Sequence, residues 1–144
     1  MRVAIVTESF LPSLNGVTNS VLRVIDTLVD QAVEVLVVAP TKQDSHYRGV
    51  EVVTCPFVSL AGFPVCIPTP TMTQALDRFR PDVIHVAAPF WLGGGALSYA
   101  DKRGIPTVAV YQTDVAGYME RYGLDFARPL LDAVTAQIHK VATL

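Results

Sequence analysis

Two short polar segments hold the side chains best suited to chemistry. In the first, Asn15-Gly16 is followed by Thr18, Asn19 and Ser20. A glycine there removes side-chain bulk where a phosphate can approach the backbone, and the N–H groups of a helix N-terminus favour anions. The plain structural alternative makes Asn15 an N-cap and Gly16 a packing glycine. The second segment is Tyr111-Gln112-Thr113-Asp114, with Tyr118 close behind. Asp114 can accept a proton or orient a hydroxyl, Gln112 can hold a substrate through amide hydrogen bonds, and Tyr118 can stack on a sugar face. Here the alternative is that Asp114 caps the next helix, and one carboxylate does not make a catalytic pair.

Other reactive side chains lack a chemical setting. His85 lies among apolar residues of a predicted strand and reads as a core histidine, while His46 and His139 sit in polar surroundings. Cys55 and Cys66 lack the spacing of a metal site and read as buried small hydrophobes rather than a disulfide. No cluster with metal-ligand spacing, no GxSxG elbow and no Walker A sequence is present, so neither a metal nor a cofactor is expected. The dinucleotide fingerprint GxGxxG is missing after every predicted strand. Gly93-Gly94-Gly95 lacks its spacing, which disfavours a nicotinamide dehydrogenase.

The elements that carry these segments alternate between strand and helix. Residues 2–7 (RVAIVT) form an apolar, β-branched run of the kind covered on both faces in a parallel sheet. Val17, Val21, Val24, Ile25 and Leu28 recur at helical spacing and predict a helix over about 16–30. Further strands are expected at 33–39, 50–54, 82–86 and 107–110, and helices at 71–79, at 92–103 closed by Gly104, and at 130–141. This alternation predicts a doubly wound, Rossmann-like parallel α/β sheet, with the first two strands adjacent and ligands bound beyond the carboxyl ends of the strands. Both polar segments follow strands and therefore fall on that edge.

Two stretches depart from the rhythm. Residues 55–70 (CPFVSLAGFPVCIPTP) form an apolar connection with four prolines, longer than an ordinary loop. Phe57, Leu60, Phe63, Val65 and Ile67 either fold back onto the sheet, the commoner fate of large apolar side chains, or form a contact for lipid. The run Val141-Ala142-Thr143-Leu144 suits the start of a sixth strand, and a second domain is expected beyond it.

Composition narrows the partners. The 144 residues carry a net charge of −2, 17% charged and 51% hydrophobic side chains. With no block of Lys or Arg there is no footprint for nucleic acid. The mean hydropathy of +0.39 is high, yet no apolar run approaches the roughly 20 residues that span a bilayer. The opening apolar run ends at Thr7-Glu8-Ser9 and is too short for a signal peptide. The expected location is the cytoplasm, with the inner face of the membrane as a site of peripheral contact.

Taken together, Glu8-Ser9-Phe10-Leu11-Pro12 with Asn15-Gly16-Val17, Val35-Leu36-Val37-Val38-Ala39-Pro40, Pro81-Asp82-Val83-Ile84-His85 and Tyr111-Gln112-Thr113-Asp114 resemble a known family. The chain is similar, over essentially its whole length, to the N-terminal domain of retaining glycosyltransferases of the GT-B group, which pair two Rossmann-like domains. Within that group it most resembles bacterial GDP-mannose-dependent α-mannosyltransferases that extend envelope glycolipids. The resemblance implies that Gly16 brings backbone N–H groups to the donor diphosphate, with Asn15 shaping the turn. It also implies that Gln112, Asp114 and Tyr118 face the acceptor and the transferred sugar. Many members have His where this chain has Gln112, and an amide cannot transfer a proton, so no acid–base role is carried over. A Gly-His turn is common in the family where this chain has Gln31-Ala32-Val33, which alters the expected turn geometry.

The resemblance implies the acceptor-binding half of an enzyme that moves a hexose, mannose from GDP-mannose, onto a glycolipid or glycan. Without a C-terminal donor-binding domain that half is expected to be inactive. The competing reading is a non-catalytic α/β module that holds a phosphorylated ligand or a partner protein with the same loops.

Overall fold

The computed structural model describes residues 1–110 apart from 43–44, 61, 68 and 88–89. The helix expected over 130–141, the strand expected from 141, and Gln112, Asp114 and Tyr118 lie outside the described residues. The elements are β1 (Arg2–Thr7), α1 (Gly16–Asp30), β2 (Glu34–Ala39), β3 (Ser45–Tyr47), β4 (Val50–Thr54), β5 (Phe57–Leu60), β6 (Phe63–Cys66), α2 (Thr71–Phe79), β7 (Val83–Ala87), α3 (Trp91–Arg103) and β8 (Thr107–Val110).

Six strands form one sheet in the order β3-β4-β2-β1-β7-β8. Setting aside the short β3, the five parallel strands run in the doubly wound order, with the second and third strands on one side of the first and the fourth and fifth on the other. β1 pairs in parallel with β2 (Val3 opposite Val35) and with β7 (Val3 opposite Val83), so it is the central strand. Its alternating side chains enter different layers. Val3 and Ile5 join Val21 and Ile25 of α1, while Ala4 and Val6 join Leu76 of α2 and Ala96 and Leu97 of α3. Burial on both faces explains why the strand reads as a continuous apolar run.

The sheet is not wholly parallel, because β3 pairs antiparallel with β4. The turn between them, Arg48-Gly49, takes positive φ at both residues (50° and 80°), the conformation of a tight two-residue hairpin. Arg48 fastens this edge to α1 through Asp26 (3.1 Å) and Asp30 (3.0 Å), and the Tyr47 hydroxyl donates to Asp26. The connection at 55–70 also contains structure: β5 and β6 form a separate antiparallel pair, with Phe57 opposite Cys66 and Leu60 opposite Phe63. Cys55 and Cys66 are thiols buried in the α2/α3 layer and form no disulfide, whereas Val58, Leu60 and Ile67 are exposed. The segment thus folds back at its two ends and presents apolar side chains between them.

Helix ends match local chemistry. Gly104 closes α3 at φ 65°, and its N–H donates back to Asp101. At the turn after α1, Ala32 takes φ 57°, so the left-handed geometry that glycine adopts freely is kept by an alanine at a cost of about 1–2 kcal/mol.

Candidate functional site

The carboxyl ends of β1 and β7 meet where the chain order reverses, the usual place for a ligand crevice in an open α/β sheet. Residues 8–15 leave β1 there and lead into α1. Asn15 is extended (φ −150°) and its Oδ1 accepts from the Thr18 N–H at 2.9 Å, so it is an N-cap. Its other end is committed as well: Nδ2 donates to the Ser9 hydroxyl at 2.6 Å, and that hydroxyl lies 3.0 Å from the Thr18 hydroxyl. Ser9 is fixed in turn by Thr7, whose hydroxyl donates to the Ser9 carbonyl at 2.8 Å. Buried Phe10 meets the Tyr47 ring edge-on, anchoring the middle of the loop against β3. The loop is held from both ends before any ligand arrives.

Gly16 opens α1 and is exposed. A Cβ built on it meets nothing within 4 Å among the described residues, and its φ is not left-handed, so neither their packing nor the backbone conformation calls for glycine there. Among the described residues nothing packs on Gly16, and the capping role of Asn15 stands. Helix geometry leaves the Gly16 and Val17 N–H groups without intrahelical acceptors. The surface above them is bare backbone at the positive end of a helix dipole.

Glu8, which the sequence offered only as part of a motif, is the unexpected member of this site. Its side chain is buried, and Oε1 accepts from the backbone N–H groups of Leu92 (2.5 Å) and Gly93 (3.0 Å). It thereby caps α3, whose own N-cap residue, Phe90, supplies no side-chain bond and whose first turn holds no acidic residue. The Cys66 thiol faces the other oxygen at 3.9 Å. Burial pushes the Glu8 carboxyl up to about 7, outweighing the hydrogen bonds from Gly93, Leu92 and Phe90 that favour its charged form. The same burial, with the Glu8 charge, pushes the Cys66 thiol up, so that sulfur is no nucleophile at neutral pH. No short-range pattern marks Glu8, because its partners lie 58 to 85 residues further along.

The remaining candidates settle as follows. His85 is half-buried in β7 rather than part of the core, and that burial holds its imidazole below its ordinary value, while His46 is exposed on β3. Gly93-Gly94-Gly95 lies within the first turns of α3; Gly93 donates to Glu8, and a Cβ on Gly95 would press against Met72 of α2 at 3.2 Å. These glycines serve helix packing and capping. Among the described residues, no group of His, Cys, Asp and Glu is placed to hold a metal ion, and no helix is long and apolar enough to cross a membrane.

A doubly wound sheet with the N-termini of α1 and α3 at its switch point defines an open, Rossmann-like α/β domain. The profile of Glycosyltransferase Family 4 matches residues 14–144, and the chain belongs to that family, whose GT-B members share this Rossmann-like architecture. It is 48% identical to a GDP-mannose-dependent alpha-mannosyltransferase of Corynebacterium glutamicum, covering 86% of this chain and 32% of that protein. It is also 48% identical to a protein of the same name in Mycolicibacterium smegmatis, covering 99% of this chain and 40% of that protein. More distantly it is 26% identical to the alpha-monoglucosyldiacylglycerol synthase of Acholeplasma laidlawii, over 97% of this chain and 38% of that protein. The chain therefore spans well under half the length of these relatives.

Proposed function

We propose that this chain is the N-terminal, acceptor-side half of a retaining α-mannosyltransferase that takes mannose from GDP-mannose and delivers it to a glycolipid or glycan. The observation that carries this reading is the bare first turn of α1, where Gly16 leaves space that no packing explains. The names of the relatives supply the donor. Asn15 holds the turn, and the Gly16 and Val17 N–H groups meet the diphosphate. As the glycosidic bond to the diphosphate breaks, negative charge accumulates on the departing oxygen, and preset N–H dipoles stabilise it without reorganising. Gln112, Asp114 and Tyr118 complete the proposal as contacts to the acceptor and the transferred sugar, since β8 carries the chain to this same edge. The donor's nucleotide and its cationic clamp are assigned to a second domain, without which this half is inactive.

The expected result with the whole protein is transfer of mannose from GDP-mannose to a mannoside or glycolipid acceptor, with the new linkage α by proton NMR. A β linkage, or turnover only with another nucleotide sugar, would overturn the reading. A cytoplasmic enzyme acting on a lipid-linked acceptor must meet a membrane surface, and we assign that contact to exposed Val58, Leu60 and Ile67 around the β5–β6 pair. Replacing Val58 and Leu60 with Ser is expected to weaken binding to phosphatidylglycerol vesicles, read by co-sedimentation, on the order of 30-fold, from about 1 kcal/mol per side chain withdrawn from lipid. Equal sedimentation of the variant removes the membrane contact.

A further inference from the structure

Glu8 is a buried carboxyl with no part in the chemistry proposed above, and its placement is unusual. It stands one residue before Ser9, whose hydroxyl holds Asn15 and Thr18 at the start of α1, while its own oxygen holds the start of α3. Two adjacent residues, Glu8 and Ser9, thus tie together the two helix N-termini that flank the switch point. From α3 it meets only backbone N–H groups, from β6 the Cys66 thiol with Cys55 beyond it, and among the described residues no basic side chain contributes to its environment.

We propose that Glu8 is a proton-linked positioning residue: it holds the Ser9–Asn15–Gly16 turn against α3 and takes up a proton when the nucleotide-sugar diphosphate docks on α1. This rests on the reading of Gly16 as the diphosphate site. A diphosphate on α1 would add negative charge at the far end of the Ser9–Asn15 hydrogen bond that begins next to Glu8; negative charge brought toward a buried carboxyl favours its neutral form, and the diphosphate of a nucleotide sugar has no proton to gain near neutrality. Glu8 does, since burial has already brought its titration to about 7. The proton goes to the carboxyl, whose Oε1 still accepts from Leu92 and Gly93 in the neutral form. By linkage, a site that takes up a proton on binding binds more tightly as pH falls through its titration, and protonation and donor affinity favour each other to the same degree.

The test is calorimetric titration of the whole protein with GDP-mannose at pH 7.5 in buffers of different ionisation enthalpy, for wild type and Glu8→Gln. The amide keeps the shape and the acceptor oxygen but cannot titrate. Wild type is expected to take up a measurable fraction of a proton and to lose affinity on the order of fivefold between pH 6 and 8.5. Glu8→Gln is expected to bind with no proton uptake and a flat profile. Wild-type binding without proton uptake overturns the inference while leaving the donor site intact, and so does uptake that persists in Glu8→Gln. Absence of GDP-mannose binding overturns the donor reading and this inference together. Should Glu8→Gln fail to fold, the wild-type pH profile decides alone.

Discussion

Replacing Gly16 with Val is expected to weaken GDP-mannose binding about 10- to 100-fold without lowering the melting temperature. The two halves of that expectation have separate causes. A Cβ at position 16 meets no atom of the described residues within 4 Å, so none of them resists a larger side chain. Glycine is a poor helix former, and replacing it where the backbone suits other residues usually stabilises by a few tenths to about 1 kcal/mol. Yet the isopropyl group would stand over the Gly16 and Val17 N–H groups. A hydrogen bond to a charged partner contributes about 1.5–3 kcal/mol, so losing one or two of them gives the stated loss. Calorimetry and thermal unfolding on the same samples separate the outcomes. Unchanged affinity would mean that the diphosphate sits elsewhere, and a large drop in melting temperature would mean that Gly16 is structural after all.

Glu8→Gln is expected to match the wild type in stability near pH 5 and to exceed it by about 2–3 kcal/mol at pH 8. The native carboxyl is raised from the ordinary value of 4.5 to about 7 by burial. Between those values the unfolded chain has released the proton and the native state still holds it. Native protein binds more protons than unfolded protein, so stability falls as pH rises through this window and is flat above it. The neutral amide escapes that penalty while keeping an acceptor for Leu92 and Gly93. Urea denaturation at pH 5 and pH 8 measures the difference, and parallel pH profiles for the two proteins would show that burial does not control Glu8. A natural sequence that accepts such a penalty at a switch point fits a residue kept for ligand binding rather than for stability.

What could be read in advance followed from how local each signal was. The start of α1 and the Gly104 stop of α3 are written in a few adjacent residues: an Asn before a helical period, and a Gly after one. β1, β2 and β4 are announced by runs of Val and Ile because both faces are covered. β3 was missed because Ser45-His46-Tyr47 is a short, partly exposed edge strand held by a turn whose first residue is Arg48 rather than Asn or Asp. The β5–β6 pair was missed because its apolar residues do not alternate cleanly and Pro64 lies within a strand. Pro64 is tolerated there because the pair is an isolated two-stranded ribbon, where every strand is an edge. The cap formed by Asn15 at the start of α1 is legible from spacing. Glu8 is not, since its chemistry depends on the burial that α3 and β6 impose.

The most direct measurement of the central claim is a titration of nitrogen-15-labelled protein with GDP-mannose, followed by backbone amide NMR. Saturable shifts largest at the Gly16 and Val17 amides, carried through Thr18 and on to Leu92 and Gly93 by way of Glu8, are predicted. Shifts that leave Gly16 and Val17 untouched and gather instead around the groove near Val29, Arg48 and Phe79, at the opposite edge of the sheet, would contradict the assignment of the α1 N-terminus as the diphosphate site.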